Sequence, residues 1–88
     1  MMAQAGVGRR AAVFGAGGGI GAALVAALAA RGDIGAVVAL SRRPRAVPAG
    51  KVIPMACDVG DEASVAVAAQ ALGPVDLALV ATGALTLP

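Results

Sequence analysis

The chain has no tryptophan, tyrosine or histidine, and only one cysteine and one phenylalanine among 88 residues. Without His there is no Ser-His-Asp triad and no His-ligated metal, and without Tyr there is no phenolic acid. The single Cys cannot form an internal disulfide. Aromatic burial is equally unavailable, so the core must come from the 24 alanines and the 24 Leu, Ile, Val and Phe residues. Charge is scarce too: 14% of residues are charged, and six Arg, one Lys and five acids leave a net +2. Binding to a phosphodiester backbone requires clustered cations, so no nucleic-acid partner is expected. Cys57 reads as a small buried hydrophobe, and one lone cysteine points to a reducing, cytoplasmic setting.

What the chain does have is apolar residues, 59% of the total with a mean hydropathy of +0.87. Such a chain can bury enough surface to offset its ordering entropy, so disorder is excluded. Its length allows one small domain over residues 1–88, with a loose lead over 1–8, and rules out a two-domain enzyme with a site in the interdomain cleft. Twenty uncharged residues separate Arg10 from Arg31, and Arg9-Arg10 followed by an apolar run to Ala27-Leu28-Ala29 imitates an export signal. Five glycines between Gly15 and Gly21 break that run into two elements, since each helical Gly costs about 1 kcal/mol relative to Ala. No membrane partner is expected.

Arg9 to Phe14 forms an apolar strand stopped by Gly15. Ile20 to Ala30 reads as a helix with Ile20, Leu24 and Leu28 inward, Arg31 near the negative end of its dipole, and Gly32 as the C′ residue. Gly35 to Ser41 is continuously apolar, as a parallel strand covered on both faces would be. Lys51 to Ala56 is a third strand, placed outermost by Pro54. Asp61 and Glu62 open a second helix with Val65, Ala69 and Leu72 inward and Gly73-Pro74 as its stop, and a last strand runs from Val75 to about Ala81. The alternation predicts an α/β fold: an open parallel sheet of about four strands, order 3-2-1-4, with right-handed crossovers and helices on both faces. The nine residues between Ser41 and Lys51 are too short and too Pro-rich for a crossover helix, and their packing is unassigned.

The glycine stretch sits between the first strand and the first helix. There the backbone must turn sharply, approach a diphosphate closely and aim the free N–H groups of the helix at it, and any side chain would block the approach. Gly15, Gly17, Gly18, Gly19, Ile20 and Gly21 are the candidate residues; a flexible Gly-rich hinge is the competing reading. Three spacings are open: Gly17-x-Gly19-x-x-Ala22, Gly15-x-x-x-Gly19-x-Gly21 and Gly15-x-x-Gly18-x-x-Gly21. Because the strand ends at Phe14, the registers starting at Gly15 are favoured.

At these residues the chain resembles the short-chain dehydrogenase/reductase family, whose T-G-x-x-x-G-x-G motif is matched by Gly15, Gly19 and Gly21, with Phe14 in place of the usual Thr. The resemblance runs the length of the chain and implies a Rossmann-like fold, here incomplete. Ser41-Arg42-Arg43 follow the second strand, where an acid would hold the ribose 2′-OH of NAD; guanidinium suits a 2′-phosphate instead. The resemblance thus implies NADP(H) rather than NAD, with Arg42 as the main contact, Ser41 supporting it and Arg43 beside it; a solvated basic turn is the alternative. Cys57-Asp58-Val59 matches the family's D-V step, which implies that the Asp58 carboxylate accepts from the adenine amino group and Val59 lines its pocket; the alternative is an acid at a helix N-terminus. Val80-Ala81-Thr82-Gly83 stands where many members read N-N-A-G, leaving Ala81 and Gly83 as the candidate residues. Divergent members similar to C-factor-like reductases carry A-T-G-x-L here.

In that family chemistry falls to a Ser and a Y-x-x-x-K pair, and this chain has no Tyr, so no catalytic residue and no metal ligand are assigned. The expectation is the NADP(H)-binding N-terminal part of an oxidoreductase that transfers hydride between the cofactor and a carbonyl or alcohol. The alternatives are a non-catalytic dinucleotide-binding module and an inactive truncated fragment. In every case an open sheet edge at Val75 to Ala81 invites self-association.

Overall fold

The computed structural model describes residues 8–44 and 50–81. The expected lead over 1–8 therefore lies, except for Gly8, outside the described residues. The chain order is β1 (Arg9–Phe14), α1 (Gly19–Ala29), β2 (Ile34–Ser41), β3 (Val52–Ala56), α2 (Glu62–Leu72) and β4 (Leu77–Val80). All pairings are parallel and the sheet order is β3-β2-β1-β4, as the sequence alternation predicts. Ala11, Ala12 and Val13 of β1 lie in register with Val37, Val38 and Ala39 of β2 and with Leu77, Ala78 and Leu79 of β4.

The strand pleat divides the core in two. Ala11, Val13, Val37 and Val52 face one way and pack with Val25 and Leu28 of α1. Ala12, Val38 and Leu40 face the other way and pack with Cys57 and with Ala68 and Leu72 of α2. The two helices thus cover opposite faces.

Of the expected Ile20-Leu24-Leu28 stripe, Leu28 is buried and Leu24 packs partly buried against the core, but Ile20 is not inward. Gly21, Val25 and Leu28 are its buried residues, while Ile20 is 51% exposed. The cause is local: the missing side chain at Gly21 lets that side of the helix press onto the turn after β1. In α2 the inward residues are Ala68 and Leu72, with Val65 partly buried and Ala69 in solvent. Nor does Gly32 end α1 in a left-handed conformation. The cap is Ala30, still helical; its N–H donates to the Ala26 carbonyl and that of Arg31 to the Leu28 carbonyl, and Gly32 has no positive φ. Gly73 does take a positive φ and ends α2, as expected.

Arg31 lies past the last turn of α1 and turns to Asp33 instead of serving the dipole. Its Nε and Nη2 donate to the two carboxylate oxygens at 2.9 and 2.8 Å. The hydrogen bond from Arg31 holds the Asp33 carboxyl at about 2, below its ordinary 3.8. Beside it, Lys51 Nζ donates to the carbonyls of Arg31 and Ile34 at 3.1 and 2.8 Å, tying the start of β3 to the loop before β2.

Pro54 sits on the outermost strand as expected. The Lys51 carbonyl and the Cys57 N–H both bond to β2, so by period-2 alternation Pro54 falls in the opposite phase, with its N–H-less nitrogen turned outward. The final strand is shorter than Val75 to Ala81 because Asp76 is used at its start: its N–H donates to the Arg10 carbonyl and its carboxylate accepts from the Arg10 N–H. Residues 45–49 of the connection between β2 and β3 lie outside the described residues. No helix among the described residues is long and apolar enough to cross a membrane. The 11 residues of α1 span about 17 Å, against about 30 Å of bilayer hydrocarbon.

Candidate functional site

The carboxyl ends of the four parallel strands lie at one end of the sheet, and the strand order switches sides at β1, with β2 on one side of it and β4 on the other. In open α/β sheets this is where ligands bind. Directly after β1, Gly15 has φ +84°, a conformation an L side chain rarely adopts, and its N–H and that of Ala16 both donate to the Leu40 carbonyl at 2.9 Å. The turn is therefore tied to the end of β2. Gly21 lies beneath it. A Cβ there would strike the Gly15 carbonyl oxygen and come within 2.8 Å of Ala16 Cα, so close packing against the turn keeps this position free of a side chain.

Between those two glycines the backbone is open. Gly18 is the N-cap of α1, without a side-chain cap, and no acidic residue stands in the first turn. The second helix is treated differently: Asp61 accepts from Ala63 N–H at 3.0 Å and Glu62 lies in its first turn. The positive end of α2 is thus neutralised by its own acids, whereas that of α1 is left bare. A Cβ at Gly19 would meet nothing within 4 Å, and one at Gly17 would touch Ser41 Cβ at 3.4 Å.

Two clefts lie here. One, about 340 Å³, is lined by Gly15, Ser41, Arg42, Cys57, Asp58, Val59 and Ala81. Another, about 520 Å³, is lined by Gly17, Ser41, Arg42 and Arg43, and Ser41 and Arg42 border both. Arg42 and Arg43 are exposed, and among the described residues neither joins an ion pair, the one pair being Arg31–Asp33. Their charge is free to meet an anion.

The floor of the first cleft is held by backbone bonds. Cys57 N–H donates to the Ser41 carbonyl at 2.9 Å, which joins the ends of β2 and β3. Asp58 is fixed on three sides: its Oδ1 accepts from Gly60 N–H at 2.9 Å, its N–H donates to Ser64 Oγ at 2.9 Å, and its carbonyl accepts from Asp61 N–H at 3.0 Å. The helix cap is Asp61, so the reading of Asp58 as the acid at the helix N-terminus does not hold. A carboxylate offers about four acceptor positions, so the turn bond leaves capacity for a ligand.

The structure therefore brings Gly15, Gly17, Ser41, Arg42, Arg43, Asp58, Val59 and Ala81 around adjoining clefts. Gly18 and Gly19 form the bare start of α1, while Ile20 points to solvent and lines neither cleft. Gly83 lies outside the described residues. The turn at Gly15 favours the registers beginning there over the one beginning at Gly17. Cys57 was expected only in the core. It is 4% exposed and also lines the cleft, and its place between the end of β3 and Asp58 was the signal for this.

Fold and site together define a parallel α/β protein with a bare helix N-terminus and two arginines at the carboxyl ends of its strands. Comparison with family models, with curated proteins and with solved structures gave no match to the chain.

Proposed function

We propose that this chain binds NADP(H) across the two clefts, as the nucleotide-binding part of an oxidoreductase similar to the short-chain dehydrogenases/reductases. The observation that carries the reading is the glycine turn from Gly15, which leads into an uncapped helix start beside Arg42, a residue in no ion pair among the described residues. On this reading the amide hydrogens at the start of α1 hold the diphosphate. Arg42, with Ser41 and Arg43, takes the 2′-phosphate, and Asp58 accepts from the adenine amino group between Val59 and Ala81. The bound cofactor would supply the hydride. The chain's own residues would bind and orient it and, lacking any Tyr, would not deliver the proton. That lack favours a second reading for these 88 residues, a non-catalytic dinucleotide-binding module.

Calorimetric titration with NADPH, NADH and adenosine 2′,5′-bisphosphate tests the proposal. NADPH and the bisphosphate should bind, and NADH more weakly. Arg42→Gln should remove most of that preference, since charge-assisted hydrogen bonds of about 1.5 to 3 kcal/mol correspond to about 10- to 100-fold in affinity. If neither dinucleotide binds, the proposal fails. If both bind equally and Arg42→Gln changes nothing, the 2′-phosphate assignment fails.

A further inference from the structure

We propose that Ser64, which borders neither cleft, is a positioning residue for recognition of the adenine base: its hydroxyl holds the Asp58 peptide so that the Asp58 carboxylate stands ready at the cleft wall. The inference rests on the nucleotide reading above and adds to it a residue from the first turn of α2. In a capping box, the side chain three residues after the N-cap reaches back to the N-cap's own N–H. In α2 that N–H is already taken, because Asp61 N–H donates to the Asp58 carbonyl at 3.0 Å. Ser64 Oγ reaches further back and accepts from Asp58 N–H at 2.9 Å.

The three bonds to Asp58 act differently. Those from Gly60 N–H to Oδ1 and from Asp61 N–H to the carbonyl close within residues 58–61 and set the shape of the turn. The bond to Ser64 joins that turn to the body of α2, which Ala68 and Leu72 seat on the sheet. Asp58 is exposed and Ser64 only partly so. An exposed carboxylate on a loose turn loses conformational freedom when it binds, whereas one already held in place loses less. A carboxylate only accepts, so Asp58 suits the 6-amino group of adenine and opposes the 6-oxo group of hypoxanthine. Discrimination between those two bases is therefore the property that passes through Ser64. The proposed diphosphate and 2′-phosphate contacts belong to α1 and to the end of β2, and do not depend on it.

Calorimetric titration with NADPH and with reduced nicotinamide hypoxanthine dinucleotide phosphate, which differ only at the 6-position of the base, tests the proposal. The wild type should favour NADPH by about 10-fold, the low end for a hydrogen bond to a charged group because the site is exposed. Ser64→Ala should lose most of that ratio, chiefly through weaker NADPH binding, with an unchanged far-UV circular dichroism spectrum, since the Asp61 cap and the Ala68 and Leu72 contacts remain. Ser64→Thr keeps the hydroxyl and should keep the ratio; Ser64→Val has the shape of Thr without the hydroxyl and should behave as Ser64→Ala does. If one of these variants loses its fold, the folded ones decide. A ratio unaltered in every folded variant without the hydroxyl, or both ligands weakened equally, would overturn the proposal and leave the nucleotide reading intact, as would equal binding of the two ligands by the wild type. A wild type that binds no NADPH would overturn both.

Discussion

Replacing Gly21 by Ala tests the packing of the glycine turn directly. The added Cβ would meet the Gly15 carbonyl oxygen and come within 2.8 Å of Ala16 Cα, atoms that belong to backbone. That backbone has little freedom to move away, because Gly15 is already at φ +84° and both Gly15 and Ala16 are bonded to the Leu40 carbonyl. Overpacking of this kind costs about 1 to 3 kcal/mol, and contact with backbone puts Gly21→Ala at the upper end. Ala is favoured over Gly inside a helix by about 1 kcal/mol, which leaves a net loss of about 2 kcal/mol. A domain of this size has a total stability of roughly 4 to 13 kcal/mol. A loss of that size lowers Tm by about 8 to 16 °C at ~4 to 8 °C per kcal/mol. Gly19→Ala is the control: nothing lies within 4 Å of its Cβ position, so it should match or exceed the wild type, by up to about 1 kcal/mol. The same Cβ stands where the proposed diphosphate approaches, so Gly19→Ala should also weaken NADPH binding. With no Trp or Tyr to report by fluorescence, the melts are followed by far-UV circular dichroism. A Gly21→Ala chain that melts at or above the wild-type temperature would refute the reasoning.

Two further predictions concern stability. Asp61→Ala removes the N-cap of α2 and leaves Ala63 N–H without its carboxylate partner, so urea unfolding should show a loss of about 1 kcal/mol. The Asp33 carboxyl sits at about 2 when folded, against 3.8 ordinarily. Its folded value is depressed, so its stabilising effect is complete above about pH 4 and is lost as pH falls toward about 2. Asp33→Asn should flatten the dependence of Tm on pH across that interval. It should change Tm only slightly near neutrality, because the pair is exposed and screened by salt.

The strand order was legible because Pro54 marks an edge and because Gly15 after β1 and Gly73-Pro74 after α2 stop those elements. The inner face of α1 was not. In a helix of Gly, Ala, Ile, Leu and Val without one polar residue, Ile20-Leu24-Leu28 and Gly21-Val25-Leu28 both have helical spacing. What decides between them is the absence of a side chain at Gly21, and a hydrophobic pattern cannot register an absence. Gly32 failed as a cap for a related reason. Arg31 and Asp33 form a bidentate pair across the turn, and no left-handed residue is needed there.

At the site, residues that follow directly on a strand end were readable from order alone: Gly15 after β1, Ser41-Arg42 at the end of β2, Asp58-Val59 after β3 and Ala81 after β4. A parallel sheet must bring such positions together. The part not readable was how each one is held. The Asp58 carboxylate bonds Gly60 rather than capping a helix, and Cys57 is both core and cleft floor, because those roles depend on the turn geometry between β3 and α2.

The central claim, that the carboxyl-end clefts take NADP(H), is tested most directly by following backbone amide NMR shifts while NADPH is added to the isotope-labelled chain. The account expects saturable shifts at Gly15 to Gly21, Ser41 to Arg43 and Asp58-Val59, with the Arg31–Asp33 end of the sheet unmoved. Shifts confined to that far end, or none at saturating NADPH, would contradict it.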